Sequence, residues 1–183
     1  MKLYDKLYDI AADKYGLVTA AEAKAAGASD KELSRLASEG RLERLGYGLY
    51  RIKHHVPGLL DPYAEAVALV GSEAYLFGES VMAMLQLTST NPQRITVATA
   101  KRVRRKVPSW LRIVKRDGND EITAYEGIPA QTVATAIASC KGFIMDDRLV
   151  EAAENARTQG LLTRDEEANL KDLLGVNGGQ AKQ

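Results

Sequence analysis

Two helix-start signals separated by a glycine, followed at once by a glycine-tipped hairpin, constrain the N-terminal part of this 183-residue chain more than any other feature. Thr19-Ala20-Ala21-Glu22 and Ser29-Asp30-Lys31-Glu32 each set a hydroxyl three residues before a glutamate. At that spacing the two side chains satisfy each other's free backbone N–H groups. Gly27 lies between them, where a left-handed residue ends a helix. The first signal therefore opens a short Ala-rich helix, and the second opens a helix that runs to Glu39 and is closed by Gly40. Before both, Leu3, Leu7, Ile10 and Ala11 recur at helical spacing with Asp5, Lys6, Asp9 and Asp13 between them, which predicts an amphipathic helix ending near Tyr15-Gly16. After the third helix, Arg41–Leu45 and Leu49–Ile52 flank Gly46-Tyr47-Gly48 and read as a β-hairpin. Three helices on short connections, then a hairpin, predict a winged helix-turn-helix.

The third helix carries the functional reading. Leu33, Leu36 and Ala37 share one face, while Lys31, Ser34, Arg35 and Ser38 line the opposite one. That outer stripe is two cations and two small hydroxyls, with no carboxylate among the four. Short side chains let a helix approach a groove, and cations and hydroxyls suit phosphates and base edges. With Ser29 at the helix start, these residues form the expected major-groove set. Arg41, Arg44 and Tyr47 are expected at the edge and tip of the wing, holding the flanking DNA backbone. If Gly46 to Gly48 form the loop, Leu45 opposes Leu49 and Glu43 opposes Arg51. Arg51 is then at least as good a cross-strand ion-pair partner as a phosphate ligand.

Lys53-His54-His55-Val56-Pro57-Gly58 reads as a connector, with the His pair solvated, and places a domain boundary between 53 and 59. The expected domains are 1–53, 59–174 and a tail at 175–183. Beyond the connector, helices are expected at Tyr63–Val70, behind Pro62, and at about Ser80–Leu87. The period then changes to two: Ile95/Val97, Leu111/Ile113 and Ile122–Glu126 read as strands. Gly127-Ile128-Pro129 leads back to helical spacing through Val133, Ile137 and Ala138. Further helices run from Asp146 to a stop at Gly160 and from a third Thr–Glu cap, Thr163/Glu166, to Leu174. The fold class is therefore α+β, with a C-terminal domain of helices packed on a small sheet.

Charge is distributed unevenly. The chain carries a formal net charge of +1, yet residues 94–116 hold nine basic and no acidic side chains, net +9. Lys101, Arg102, Arg104, Arg105 and Lys106 cannot pack together in a core, so they form an exposed loop that calls for anionic company. DNA phosphate, RNA phosphate and an acidic protein face all fit; a solvated hairpin is the bland alternative.

Signs of catalysis are missing. The sequence has no phosphate-binding glycine loop, no metal-binding His-Glu-x-x-His and no carboxylate dyad, so neither an enzyme nor a metal or other cofactor is expected. Cys140, the one cysteine, reads as a small buried or half-buried apolar residue and leaves no internal disulfide. No apolar run spans a membrane, and the first segment is too densely charged for a signal peptide, so the expectation is a soluble cytoplasmic protein.

The run GLVTAAEAKAAGASDKELSRLASEGRLERLGYGLYRI resembles the winged-helix domain of AbiEi-type antitoxins from bacterial type IV toxin–antitoxin (abortive-infection) systems. Its V-T-A-A-E helix start, A-G-A-S turn, E-G-R-L-E-R helix end and G-x-G-x-Y-R-I hairpin occur in that order. The second domain matches more loosely, through Tyr75-Leu76-Phe77-Gly78-Glu79-Ser80, the I-T-V-A strand and Gly-Ile-Pro-Ala-Gln-Thr. The resemblance implies a DNA-binding antitoxin that represses its own promoter at inverted repeats in double-stranded DNA. It also implies a cognate nucleotidyltransferase-like toxin, counteracted directly or indirectly. Two other readings stay open: a winged-helix regulator with no toxin, and an interaction module whose basic loop binds RNA or protein.

Overall fold

Each hydroxyl–glutamate pair named above starts a helix. In the computed structural model, which describes residues 2–176, the chain runs α1 (Leu3–Ala12), β1 (Leu17–Thr19), α2 (Ala20–Ala25), α3 (Asp30–Ser38), β2 (Leu42–Gly46), β3 (Leu49–Ile52) and α4 (Asp61–Val70). Thr19 caps α2 and Ser29 caps α3, each with the reciprocal glutamate bond. The three strands pair antiparallel in the order β1-β3-β2. Leu7, Ala11, Val18, Ala23, Leu33, Leu36, Leu42 and Ile52 close the core between helices and sheet. This is the helix-turn-helix and hairpin expected from the sequence, with one strand added. At three residues, β1 is too short to show a period of its own.

The hairpin register is half as expected. Glu43 does lie opposite Arg51, but Gly46 takes the place facing Leu49, and a bulge at Leu45 shifts the strand. The turn is thus Tyr47-Gly48, with Gly48 at φ 67. Glu43 is not the partner of Arg51. The guanidinium instead donates to Glu65 on α4 at 3.0 Å.

That ion pair belongs to a larger correction. The domain boundary expected at 53–59 is replaced by a division after Ser72, so α4 packs with the first unit. Asp61 is buried; it accepts the Gly58 N–H at 2.7 Å and pairs with His55. Arg51 lies 4.0 Å from the same carboxylate. On the wing, Leu69 occupies the space where a Cβ on Gly46 would stand. His55 is thus half-buried rather than solvated, while His54 is exposed at φ 70. A Pro- and Gly-bearing segment looks like a linker even where a single carboxylate on the next helix, Asp61, pins it.

The second unit begins at Glu73. It holds β4 (Tyr75–Leu76), α5 (Glu79–Met84), β5 (Ile95–Thr99), β6 (Leu111–Lys115), β7 (Ile122–Tyr125), β8 (Ile128–Gln131), α6 (Val133–Ser139), α7 (Asp146–Thr158) and α8 (Arg164–Leu173). The mixed sheet has the order β6-β5-β4-β8-β7. The helices share a core of Met82, Leu87, Val133, Ile137, Leu149, Ala153, Leu162 and Leu170. The fold is α+β. The segments quoted for the looser resemblance meet at the sheet centre. Leu76 pairs with both Val97 and Ala130. The buried Gln131 side chain accepts the Gly78 N–H, and Ser80 accepts the Thr96 N–H.

Two departures matter for function. Strands β4 and β8 were not expected: one is two residues long, and the other carries Pro129, which argues against a strand inside a sheet. Strands β5 and β6 run parallel, so the basic segment between them is a crossover along the strands rather than a hairpin tip. The tail expected at 175–183 lies, from residue 177 onward, outside the described residues.

Candidate nucleic-acid interface

Helix α3 is fixed from below by apolar contact and from its start by capping. Leu33 and Leu36 are each only 1% exposed, whereas Lys31, Ser34, Arg35 and Ser38 are all exposed. Gly27, at φ 98, turns the chain between α2 and α3, and the Ala28 N–H returns to the Ala23 carbonyl at 2.9 Å. A Lys24–Asp30 ion pair at 2.9 Å bridges the turn. All four residues of the stripe thus face away from the apolar side of α3, as their spacing predicts.

Hydrogen bonds change what several of these side chains have to offer. The Ser29 hydroxyl donates to Glu32 at 2.8 Å and accepts the Glu32 N–H at 3.2 Å. Its one hydrogen is committed to the cap, so Ser29 shapes the helix start and has no free donor for a phosphate. The bonds from the Ser29 N–H and hydroxyl hold the Glu32 carboxyl below its usual range, keeping it charged. Arg35 donates to Glu39 at 2.6 Å, which brings a carboxylate to the margin of a stripe that looked free of acid. The Ser38 hydroxyl donates to the Arg35 carbonyl at 2.8 Å. Lys31 has no ion-pair partner among the described residues.

The wing residues separate into two groups. Tyr47 is 80% exposed at the turn, and Arg44 is exposed beside it. Arg41, expected at the wing edge, instead stacks its guanidinium over the Tyr4 ring at 3.9 Å and is half-buried. Cation–π packing of this kind ties α3's exit to α1. The sequence held no signal for it, because Tyr4 and Arg41 are far apart in the chain.

In the second unit, Arg102, Arg104 and Lys106 are exposed, and Lys101 pairs with Glu73 at 2.8 Å. Arg105 is exposed as well. Nearby in sequence, Arg116 grips Asp120 through two bonds of 3.1 and 2.6 Å, and the Tyr75 hydroxyl donates to the same carboxylate at 2.7 Å. Arg116 holds the Asp120 carboxyl below its ordinary range, while burial and Asp120 push the Tyr75 phenol up to about 12. Cys140 is buried as expected, and burial pushes its thiol up to about 12, far from a reactive thiolate. Among the described residues no group of three or more His, Cys, Asp or Glu stands together to hold a metal ion, and no helix is long and apolar enough to cross a membrane.

No curated protein matches this chain. Residues 5–53 match the family described as "Transcriptional regulator, AbiEi antitoxin". The match opens inside α1 and closes one residue beyond β3, so it contains α3, the wing and every candidate contact of the first unit. Over this stretch the chain is similar to the AbiEi antitoxin family of transcriptional regulators.

Proposed function

We propose that this chain is a non-enzymatic, cytoplasmic antitoxin with a winged helix-turn-helix, which binds inverted repeats upstream of its own operon and represses it. Lys31, Ser34, Arg35 and Ser38 enter the major groove; Arg44 and Tyr47 follow the flanking backbone. One observation carries the reading: an outer face of α3 made of two cations and two hydroxyls, set on Leu33 and Leu36 and followed by a wing with an open aromatic tip. The second unit counteracts a nucleotidyltransferase-like toxin, with the 101–106 crossover meeting either phosphate or the toxin itself. The looser sequence resemblance of the second unit supports this half.

The test has two arms. A mobility shift with the chain's own upstream DNA gives a specific band that a scrambled duplex does not compete away. Co-expression with the adjacent open reading frame rescues growth from a product that is toxic alone. A harmless neighbour removes the antitoxin half and leaves a regulator without a toxin; the absence of any specific band removes the DNA-binding half.

A further inference from the structure

The second unit contains a cavity of about 440 Å³ at the end of the basic segment, within the size range of small-molecule sites. Its lining combines Phe77, Phe143, Arg112, Arg116, Glu79 and Val114. Strand alternation accounts for three of these: Arg112, Val114 and Arg116 project from one face along and just past β6. We propose that this cavity binds a nucleoside monophosphate, with the phosphate on the two guanidinium groups and the base against Phe143.

Five features point to that chemistry. Arg112 is exposed and has no ion-pair partner among the described residues. Arg116 is oriented by its two bonds to Asp120, made through Nε and Nη2, which hold its guanidinium in a fixed plane at the cavity wall. A fixed fork of N–H groups beside a second guanidinium suits a phosphate. Phe143 is 90% exposed at the lip, so its ring offers an open face on which a flat base can stack. One face of Phe77 lies under Arg116, at 5.4 Å from ring centre to guanidinium carbon, so Phe77 backs the phosphate end. Among the described residues Glu79 supplies the only carboxylate of the lining, an acceptor for ribose hydroxyls or an exocyclic amine. A zwitterionic amino acid could also span the charges, but it would leave much of this volume to water. Cys140 borders the cavity as a neutral thiol and takes no covalent part.

Binding in this cavity is tested on the full chain by calorimetry with the four nucleoside 5′-monophosphates. The expected result is a dissociation constant below about 1 mM for at least one of them, with its parent nucleoside, inorganic phosphate and free phenylalanine each at least about tenfold weaker. Arg112→Gln and, separately, Phe143→Ala weaken the monophosphate about tenfold or more. Both positions are exposed, so the melting curve stays in place. Neutralising Arg102, Arg104 and Lys106 leaves this binding within about twofold. The proposal is overturned if no monophosphate binds, if phenylalanine or phosphate binds as tightly, if Arg112→Gln and Phe143→Ala are silent, or if the crossover variant abolishes binding.

Discussion

Gly16→Ala is expected to destabilise the first unit severely, although it adds a single methyl group. Gly16 sits at φ 72, and a Cβ there stands 2.6 to 2.8 Å from three atoms of the His55 side chain. The left-handed conformation alone costs an L-residue about 1–2 kcal/mol. The ring must also withdraw, and His55 is the partner of buried Asp61. Leaving that carboxylate short of a hydrogen bond adds about 1–3 kcal/mol. The total of about 2–5 kcal/mol is a large share of the stability of a small domain. Native-state hydrogen exchange at the Ile52 amide, bonded to the Gly16 carbonyl at 2.9 Å, reads the first unit by itself. Trp110 fluorescence, by contrast, reports on the second. In a His55→Ala background the clash disappears, so the glycine substitution should then cost only the backbone strain. A coupling energy of about 1–3 kcal/mol between the two changes is the signature. A destabilisation below about 1 kcal/mol, or the same destabilisation with and without His55, refutes this account of the junction.

Further outcomes follow from the same structure. Arg35→Ala should weaken operator binding by about 1–3 kcal/mol with little change in melting, as read by anisotropy at fixed salt. The Glu39 pair that Arg35 gives up is an exposed i,i+4 pair worth only about 0.3–0.5 kcal/mol. Neutralising Arg102, Arg104 and Lys106 should reduce the salt-dependence slope of DNA binding by about 0.9 for each phosphate that these cations neutralise, and leave it unchanged if the crossover meets only protein. The Asp120 carboxyl is held low by Arg116, so its contribution is intact above the ordinary carboxylate value and fades as pH falls through the lowered one. Acid titration of the second unit followed by Trp110 should therefore be shallower in Asp120→Asn. Cys140 should resist alkylation at about pH 8 in the native chain and react on unfolding.

What was legible in the sequence was local. The hydroxyl–glutamate caps at Thr19, Ser29 and Thr163 all form, because both partners lie within one turn of helix. The inner and outer faces of α3 follow from its period, whereas Glu43 comes opposite Arg51 only because the bulge at Leu45 makes up for a turn one residue shorter than expected. What escaped was set by distant partners. Arg51 chooses Glu65, Arg41 chooses Tyr4, and His55 fills the space over Gly16; no spacing rule connects these residues. Strands β1, β4 and β8 are held by their neighbours rather than by their own pattern. The parallel pairing of β5 and β6 was hidden for the same reason, since two alternating segments look alike whichever way the second one runs.

The central claim is that DNA meets the outer face of α3 and the tip of the wing. Backbone amide shifts of the isotope-labelled chain, titrated with its own upstream duplex, test this most directly. Perturbations should concentrate at residues 29–38 and 44–48, with Lys31, Ser34, Arg35 and Tyr47 among the largest. Shifts confined to 101–106, with α3 silent, would contradict it.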